Sequence, residues 1–230
     1  MRRADRVLVC SEKERAQLSV LGVDHVLVVP NGVDTQQFTP RERSSATAAP
    51  LAPPRAEALE LVFTGGMNYL PNEDGARWFL DEIFPLVLRE RPAARITFVG
   101  KHPPDSLCAR AREGQIVFTG RVDDVRAHAR AADIFVVPLR IGGGTRLKIL
   151  EALAMQLPLV STRVGAEGLD LRDGQDLLLA DEAQTFADAI LALATDRERA
   201  ARLAASGHAR VLERYDWRAT TRPLLDDLAN

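Results

Sequence analysis

The chain has 230 residues, of which 46% are hydrophobic and 27% charged, a composition that excludes disordered and fibrous proteins. Thirty Lys and Arg balance 32 Asp and Glu to a net charge of -2, so no global basic field favours nucleic acid, and an anion site must be local. Two cysteines, Cys10 and Cys108, are too few for a disulfide framework, and no apolar run approaches the roughly 18 residues of a membrane span. These features predict a cytoplasmic protein.

Short apolar segments rich in Val, Ile and Phe alternate with longer amphipathic ones, which is the pattern of βα units around a parallel sheet. Strands are predicted at residues 6–10, 26–29, 59–63, 95–99, 115–118, 134–138, 158–161 and 177–179. Helices are predicted at residues 11–21, 73–90, 106–112, 124–132, 145–154, 183–194, 197–214 and 217–228. The fold class expected from this order is α/β, a Rossmann-like parallel sheet flanked by helices.

Residues 39–58 interrupt this pattern, because they hold four prolines and show neither helical nor strand periodicity. We interpret them as a linker between residues 1–38 and a compact α/β domain at 59–215. The first segment, with two strands and one helix, is too small for a core of its own. It must therefore pack on the large domain or on something absent from this chain. Residues 216–230 form a closing helix that is a second candidate for docking away from the main domain.

The most informative sequence leads from the strand at 134–138 into the following helix. It reads Pro138-Leu139-Arg140-Ile141-Gly142-Gly143-Gly144-Thr145-Arg146-Leu147-Lys148-Ile149-Leu150-Glu151. Free N–H groups and the dipole at a helix start attract phosphate, and glycines let a ligand approach the backbone. Thr145 can cap the helix or donate to phosphate, Arg146 and Lys148 add cations, and Glu151 can accept from vicinal hydroxyls. The combination predicts a phosphorylated ligand that carries a sugar.

A simpler interpretation of the same residues is a plain glycine loop, a Thr145 cap and a solvated helix face. The stretch lacks the Gly-x-x-x-x-Gly-Lys-Ser/Thr and Gly-x-Gly-x-x-Gly motifs, which excludes P-loop and dinucleotide-binding proteins. On one helix Arg146 and Lys148 would point about 200° apart around the helix axis, so they could not both face one phosphate. One of the two cations is therefore expected to make the main contact with the phosphate. Lys148 is favoured because it shares a helix stripe with Thr145 and Glu151.

This motif resembles the donor-binding half of the retaining GT-B glycosyltransferases of family 4, the glycosyl transferases group 1. The resemblance covers nearly the whole chain. Other matching phrases are Val28-Val29-Pro30-Asn31-Gly32-Val33-Asp34, Phe63-Thr64-Gly65, Leu157-Pro158-Leu159-Val160-Ser161-Thr162, Gly165-Ala166-Glu167-Gly168-Leu169 and Tyr215-Asp216-Trp217. It implies a GT-B C-terminal domain behind a remnant of the N-terminal acceptor domain. It also implies a hexosyltransferase-like activity of polysaccharide biosynthesis, in the cytoplasm or at the inner face of the membrane.

The resemblance implies that a nucleotide diphosphate sugar binds at the carboxyl edge of the sheet. Glu151 matches the family glutamate that contacts the ribose, and Gly143, Gly144 and Thr145 lie along the diphosphate, next to Gly142. Further donor-binding candidates follow other strands at the same edge: Gly65, Gly100, Lys101, Arg121 and Glu167. Arg121 lies near the turn where the family contacts the base, and Glu167 either approaches the sugar or caps the next turn.

Two departures from the family pattern concern charge. Many members carry a glutamate eight positions before Glu151, where this chain has Gly143. Many also hold the diphosphate with an arginine and a lysine in the first loop of the domain, and residues 65–73 contain neither. We infer that Arg146 and Lys148 supply that charge as the catalytic cations. No Asp-x-Asp precedes the glycine loop, so neither a metal nor a further cofactor is expected.

Family members also have a complete N-terminal domain that binds the acceptor, and only its last elements are expected here. The chain is accordingly expected to be a truncated or split enzyme or a fragment, with a separate N-terminal-domain polypeptide as a possible partner. The acceptor is open between a glycan, a lipid-linked glycan and a small molecule. Two alternatives stay open: a non-catalytic nucleotide-sugar-binding partner protein, and a nucleotide-sugar epimerase, for which no convincing pair of carboxylates is present.

Overall fold

The computed structural model describes residues 6–40, 58–144 and 146–228. Its strands are β1 (Val7–Val9), β2 (Val26–Val28), β3 (Glu60–Thr64), β4 (Arg95–Val99), β5 (Ile116–Phe118), β6 (Ile134–Val137), β7 (Leu159–Ser161) and β8 (Leu178–Leu179). Its α-helices are α1 (Glu12–Val20), α2 (Leu70–Trp78), α3 (Phe84–Glu90), α4 (Asp105–Cys108), α5 (Val125–Ala131), α6 (Leu147–Ala154), α7 (Ala183–Thr195), α8 (Arg197–Arg214) and α9 (Trp217–Leu228). The predicted α/β class and the predicted order of elements are confirmed.

Three predicted helices differ from the observed ones. The helix predicted at 73–90 begins at Leu70 and contains a π-helical segment, Phe79–Ile83, between α2 and α3. Pro85 explains the widened turn, because proline cannot donate the helical hydrogen bond and its ring crowds the preceding turn. The helix predicted at 106–112 ends at Cys108. Helix α6 begins at Leu147 rather than 145, since Arg146 is the non-helical N-cap residue with φ -90° and ψ 85°.

Six strands form one parallel sheet in the order β5, β4, β3, β6, β7, β8. From β3 the chain moves outward to β4 and β5, then crosses back to β6 and proceeds to β7 and β8. The direction therefore reverses between β3 and β6, which pair through Leu61 with Ile134 and Val62 with Phe135. In open α/β sheets a crevice for ligands forms at the carboxyl ends of strands at such a point.

Aromatic rings pack between neighbouring strands of this sheet, and helix α2 packs closely against it. Phe98 of β4 lies edge-on to Phe63 of β3 and stacks on Phe118 of β5, with ring centroids 6.0 and 4.9 Å apart. Phe63 and Phe98 are fully buried. At the carboxyl end of β6, helix α2 approaches the strand so closely that a Cβ on Gly75 would stand 2.6 Å from the Pro138 carbonyl oxygen. The ends of β3 and β6 are thus fixed from both sides.

Strands β1 and β2 form a separate parallel pair, and the segment that follows β2 contacts residues at the start of the last helix. The Val33 N–H donates to the Tyr215 carbonyl at 2.7 Å, and the Thr35 hydroxyl donates to Asp216 at 2.5 Å. The predicted linker lies mostly outside the described residues, and the domain bounds stay predictions. None of the helices in the described ranges is both long and apolar enough to cross a membrane.

Candidate donor site at the sheet edge

The first turn, residues 65–66, leaves the carboxyl end of β3 in a tightly packed setting. The Gly65 N–H donates to the Val99 carbonyl at 2.9 Å, and the Met67 N–H donates to the Lys101 carbonyl at 2.9 Å. A Cβ on Gly100 would stand only 1.8 Å from the Gly65 carbonyl oxygen, which no side chain could tolerate. Gly65 and Gly100 are therefore required to bring the exits of β3 and β4 together.

Lys148 reaches this first turn from helix α6. Its ammonium group donates to Asn72 Oδ1 at 2.7 Å and lies 4.1 Å from the centroid of the Phe63 ring. Asn72 Nδ2 in turn donates to the Gly66 carbonyl at 2.9 Å. A Cβ on Gly65 would stand 2.8 Å from Lys148 Nζ, so the positive charge lies directly against the turn. The lysine thus brings to the first turn a cation that the turn's own sequence lacks.

The glycine loop, residues 142–144, follows β6 and is exposed. A Cβ on Gly142, which has φ +113°, would meet Arg146 Nη2 at 2.5 Å. Around Gly143 and Gly144, in contrast, a Cβ would find none of the described residues within 4 Å. Thr145 lies outside the described residues. The loop therefore combines one position closed by Arg146 with two positions open to solvent.

Arg146 is a buried cation whose hydrogen bonds are incomplete. Only 7% of the residue is exposed. Its Nη1 donates to the Gly143 carbonyl at 2.9 Å, whereas Nε and Nη2 have no partner among the described residues. Buried donors without partners are costly, and a charged pair of donors matches the fork of a phosphate. The guanidinium group is therefore a candidate donor for an anion at the glycine loop.

The charged groups at the site shift one another's pKa. Burial, together with the neighbouring charge of Arg146, lowers the pKa of Lys148 to about 7, against the opposing effect of Glu151. Burial raises the pKa of Glu151, against the opposing effect of Lys148. Glu151 is partly buried, and its carboxylate makes no hydrogen bond to the described residues. Lys148 thus lies between a cation and a carboxylate, and its charge depends on both.

Other predicted residues lie on the rim. Glu167 accepts a hydrogen bond from Lys13 Nζ at 2.5 Å, which lowers the pKa of its carboxyl group. Lys101 and Arg121 are exposed after β4 and β5. Gly100 forms an isolated bridge with Gly120 between the exits of those strands. The structure thus brings Arg146 and Lys148 together, whereas Glu167 is hydrogen-bonded to Lys13 of the N-terminal segment.

Asn72 and Lys13 were not expected at the site. Their partners are 76 and 154 residues away in the chain, so no local spacing or motif could signal the contacts. No three His, Cys, Asp or Glu side chains within the described ranges gather as they would around a metal ion. Metal independence stays a prediction of the sequence.

The sequence of this chain is similar to those of known proteins. The sequence model of the family described as "Glycosyl transferases group 1" matches residues 58–196. The phosphatidyl-myo-inositol mannosyltransferase of Mycobacterium tuberculosis (strain ATCC 25618 / H37Rv) is 31% identical over 224 residues, covering 92% of this chain and 56% of the relative. The lipopolysaccharide core biosynthesis mannosyltransferase LpsB of Rhizobium meliloti (strain 1021) is 29% identical over 230 residues, covering 94% and 62%. The chain spans about half the length of the curated relatives it matches.

Solved structures show the same fold. HepE from Anabaena, in complex with UDP and glucose, aligns with a TM-score of 0.79 at 16% identity, covering 99% of this chain and 63% of that chain. The C-terminal domain of LpcC, a glycosyl transferase group 1 family protein from Francisella tularensis, aligns with a TM-score of 0.62 at 22% identity, covering 80% and 99%. At these identities the likeness confirms the predicted fold class and carries no residue roles.

Proposed function

The chain belongs to the glycosyl transferases group 1 family, and we propose that it is the donor-binding part of a retaining, metal-independent glycosyltransferase of the GT-B type. The donor is a nucleoside diphosphate sugar bound at the carboxyl ends of β3 and β6. The observation that carries this proposal is the buried guanidinium of Arg146 beside the glycine loop, with two nitrogens that have no hydrogen-bond partner in the described ranges.

The chemistry of the transfer requires stabilisation of a leaving diphosphate. The sugar passes through an oxocarbenium-like transition state while negative charge develops on the phosphate oxygens. Arg146 supplies unpaired donors, Lys148 supplies charge at the first turn, and the start of α6 adds its dipole. The geometry favours Arg146 over Lys148 for direct contact, because the Lys148 ammonium group already donates to Asn72. This ordering reverses the expectation from helix spacing, since Arg146 precedes the helix.

Recognition of the rest of the donor falls to residues around the two cations. Glu151 accepts from the ribose hydroxyls, since its carboxylate has no hydrogen-bond partner among the described residues. Lys101 and Arg121 face the base from the exits of β4 and β5. Glu167 contacts the donor sugar once its bond to Lys13 opens. Two of the relatives are mannosyltransferases by name, so a mannosyl donor is the first to test.

The acceptor side of the enzyme lies in a part that this chain does not hold. Because the chain spans about half of its curated relatives, we propose that turnover needs an N-terminal half, supplied in the same protein or by a partner chain. The acceptor is a glycan, a lipid-linked glycan or a small molecule, and the protein acts in the cytoplasm or peripherally at the inner face of the membrane.

Isothermal titration of the chain with uridine, guanosine and adenosine diphosphates tests the donor site. We expect one of them to bind with a dissociation constant in the micromolar to millimolar range. The affinity is modest because the residues at the sheet edge bind the nucleotide without the domain that closes over it. Absence of heat from all three on a folded sample would refute the proposal. Titration with the matching nucleoside separates the diphosphate contribution from that of the base and ribose.

A further inference from the structure

We propose that Asn72 is a positioning residue for the donor diphosphate, because its side-chain amide joins the ammonium group of Lys148 to the backbone of the first turn. This inference rests on the proposed function of the sheet edge as a donor site. It adds a residue from helix α2 whose role is to act through Lys148, without contact with the donor.

The amide of Asn72 uses both of its ends. Oδ1 accepts from Lys148 Nζ at 2.7 Å, while Nδ2 donates to the Gly66 carbonyl at 2.9 Å. Asn72 itself is buried, at 6% exposure. An aspartate could accept from the lysine but could not donate to the carbonyl, and an alanine could do neither. Only an amide of this length links a cation on α6 to the turn that follows β3.

The link holds the lysine in one place. A lysine side chain has four rotatable bonds, and burying it in a single conformation costs about 2 kcal/mol of rotamer entropy. The ring of Phe63 beneath the ammonium group and the amide of Asn72 beside it define that conformation. The charge therefore meets the first turn at Gly65, the residue whose missing Cβ leaves room for it.

Protonation of this lysine is sensitive to its surroundings. Among described residues, Arg146 disfavours the charged form and Glu151 favours it, whereas Asn72 on α2 and Phe63 on β3 carry no charge. The side chain of Lys101 approaches the same turn from the exit of β4. Because the pKa lies at about 7, a bound diphosphate raises it and the complex takes up a proton. Nucleotide affinity is therefore expected to fall as pH rises above 7.

The first experiment measures the pKa of Lys148 directly. The chain contains only three lysines, so labelling lysine with ¹³C at Cε gives three signals to follow by NMR against pH. Asn72→Asp places a carboxylate beside the ammonium group and is expected to raise the midpoint by about one pH unit or more. Asn72→Ala removes an acceptor of the charged form and is expected to lower it. Lys13 and Lys101 serve as internal references, and equal Lys148 midpoints in all three proteins would overturn the inference.

The second experiment asks whether Asn72 acts through Lys148. Nucleoside diphosphate affinity is measured at pH 6.5 and 8.5 for Asn72→Ala, Lys148→Met and the double variant, with Arg202→Met on α8 as the control for loss of a helix cation. Asn72→Ala is expected to weaken the diphosphate about tenfold and the nucleoside hardly at all. The double variant is expected to bind no more weakly than Lys148→Met alone.

The outcomes separate this inference from the proposed function. Independent, additive losses in the double variant, or an unchanged affinity in Asn72→Ala, would overturn the positioning role while nucleotide binding by the unmodified chain stands. If the unmodified chain binds none of the nucleotides, the proposed function and the diphosphate role of Asn72 are both overturned. The Lys148 midpoints from NMR would then still show whether Asn72 contacts Lys148. If Asn72→Ala does not fold, Asn72→Ser replaces it in both experiments.

Discussion

Two glycine-bearing segments meet at the sheet edge, and they differ in what surrounds them. In the first turn and the adjoining exit of β4, a Cβ on Gly65 or Gly100 would run into Asn72, Lys148 or the backbone of the turn itself. In the glycine loop, a Cβ on Gly143 or Gly144 would meet no atom of the described part of the chain within 4 Å. Glycine serves close packing of the protein in the first case and leaves space in the second.

This contrast separates scaffold from binding space. Backbone hydrogen bonds join the first turn to β4, and Asn72 joins it to Lys148, so contacts within the protein hold its shape. The glycine loop is held by Arg146, two of whose donors have no partner among the residues that the structure describes. Substitutions in the first turn are therefore expected to cost stability, and substitutions around the loop are expected to cost binding.

The largest effect is expected for Gly100→Ala. Its methyl group would overlap the Gly65 carbonyl oxygen at 1.8 Å, and both partners are backbone that cannot rotate away. We expect a loss of more than about 4 kcal/mol in the free energy of unfolding, or failure to fold, measured by urea denaturation.

Gly114→Ala is the matched control for that substitution. Gly114 also has a positive φ, of +73°, but a Cβ there meets nothing within 4 Å. Only the conformational cost of about 1 to 2 kcal/mol is expected. Similar losses for the two variants would show that conformation, and not the close approach of β3 and β4, decides the stability of the edge.

Arg146→Met tests the opposite side of the comparison. It removes two charged donors that have no partner elsewhere in the described structure, so diphosphate affinity is expected to fall about 100-fold. The free energy of unfolding is expected to stay equal or to rise by about 1 kcal/mol, because a buried charge without a carboxylate partner is lost. Arg202→Met on α8 is the control. A drop in stability together with unchanged affinity would mean that Arg146 is a structural residue of the loop.

The order of strands and helices and the position of the glycine loop were predictable from the sequence, because they follow from local periodicity. The strands follow from short Val, Ile and Phe runs, and the position of the glycine loop follows from the switch between a buried strand and an amphipathic helix. The start of α6 was not predictable, because the residue types of Thr145 and Arg146 are both compatible with a helix. Arg146 instead has a non-helical backbone and donates to the Gly143 carbonyl three residues earlier, a loop conformation that helical periodicity does not indicate.

The cation pair shows where sequence reasoning fails. Spacing on an ideal helix favoured Lys148 over Arg146 for the diphosphate, but only Lys148 lies on the helix. Its ammonium group is bound by a residue 76 positions earlier, which no local pattern encodes. Glu167 was expected either to approach the sugar or to cap the next turn, and neither pattern encodes its bond to Lys13, which depends on how the N-terminal segment packs.

A smaller effect is expected for Glu151→Gln. If the carboxylate accepts from ribose hydroxyls, nucleoside and nucleotide affinities should both fall about tenfold, while the affinity for inorganic pyrophosphate should not fall. Because burial raises the pKa of Glu151, its ionised form opposes folding above the unfolded-state pKa. The variant should therefore be at least as stable at pH 7. Glu198→Gln, an exposed helix glutamate, is the control, and equal nucleotide affinities for both variants would make Glu151 a plain helix residue.

The smallest effect is expected for Gly143→Ala. Gly143 is exposed, has no positive φ and leaves open space around a Cβ, so the free energy of unfolding should change by less than about 0.5 kcal/mol. If that space belongs to the diphosphate, the added methyl group competes with it, and affinity should fall about threefold to tenfold, equivalent to roughly 0.6 to 1.4 kcal/mol. Affinity for the nucleoside alone should not change, because the methyl group lies at the phosphate end. Titration of both ligands decides the point: an unchanged diphosphate affinity would make residues 142–144 a plain loop, and would remove the contrast between binding space and scaffold at this sheet edge.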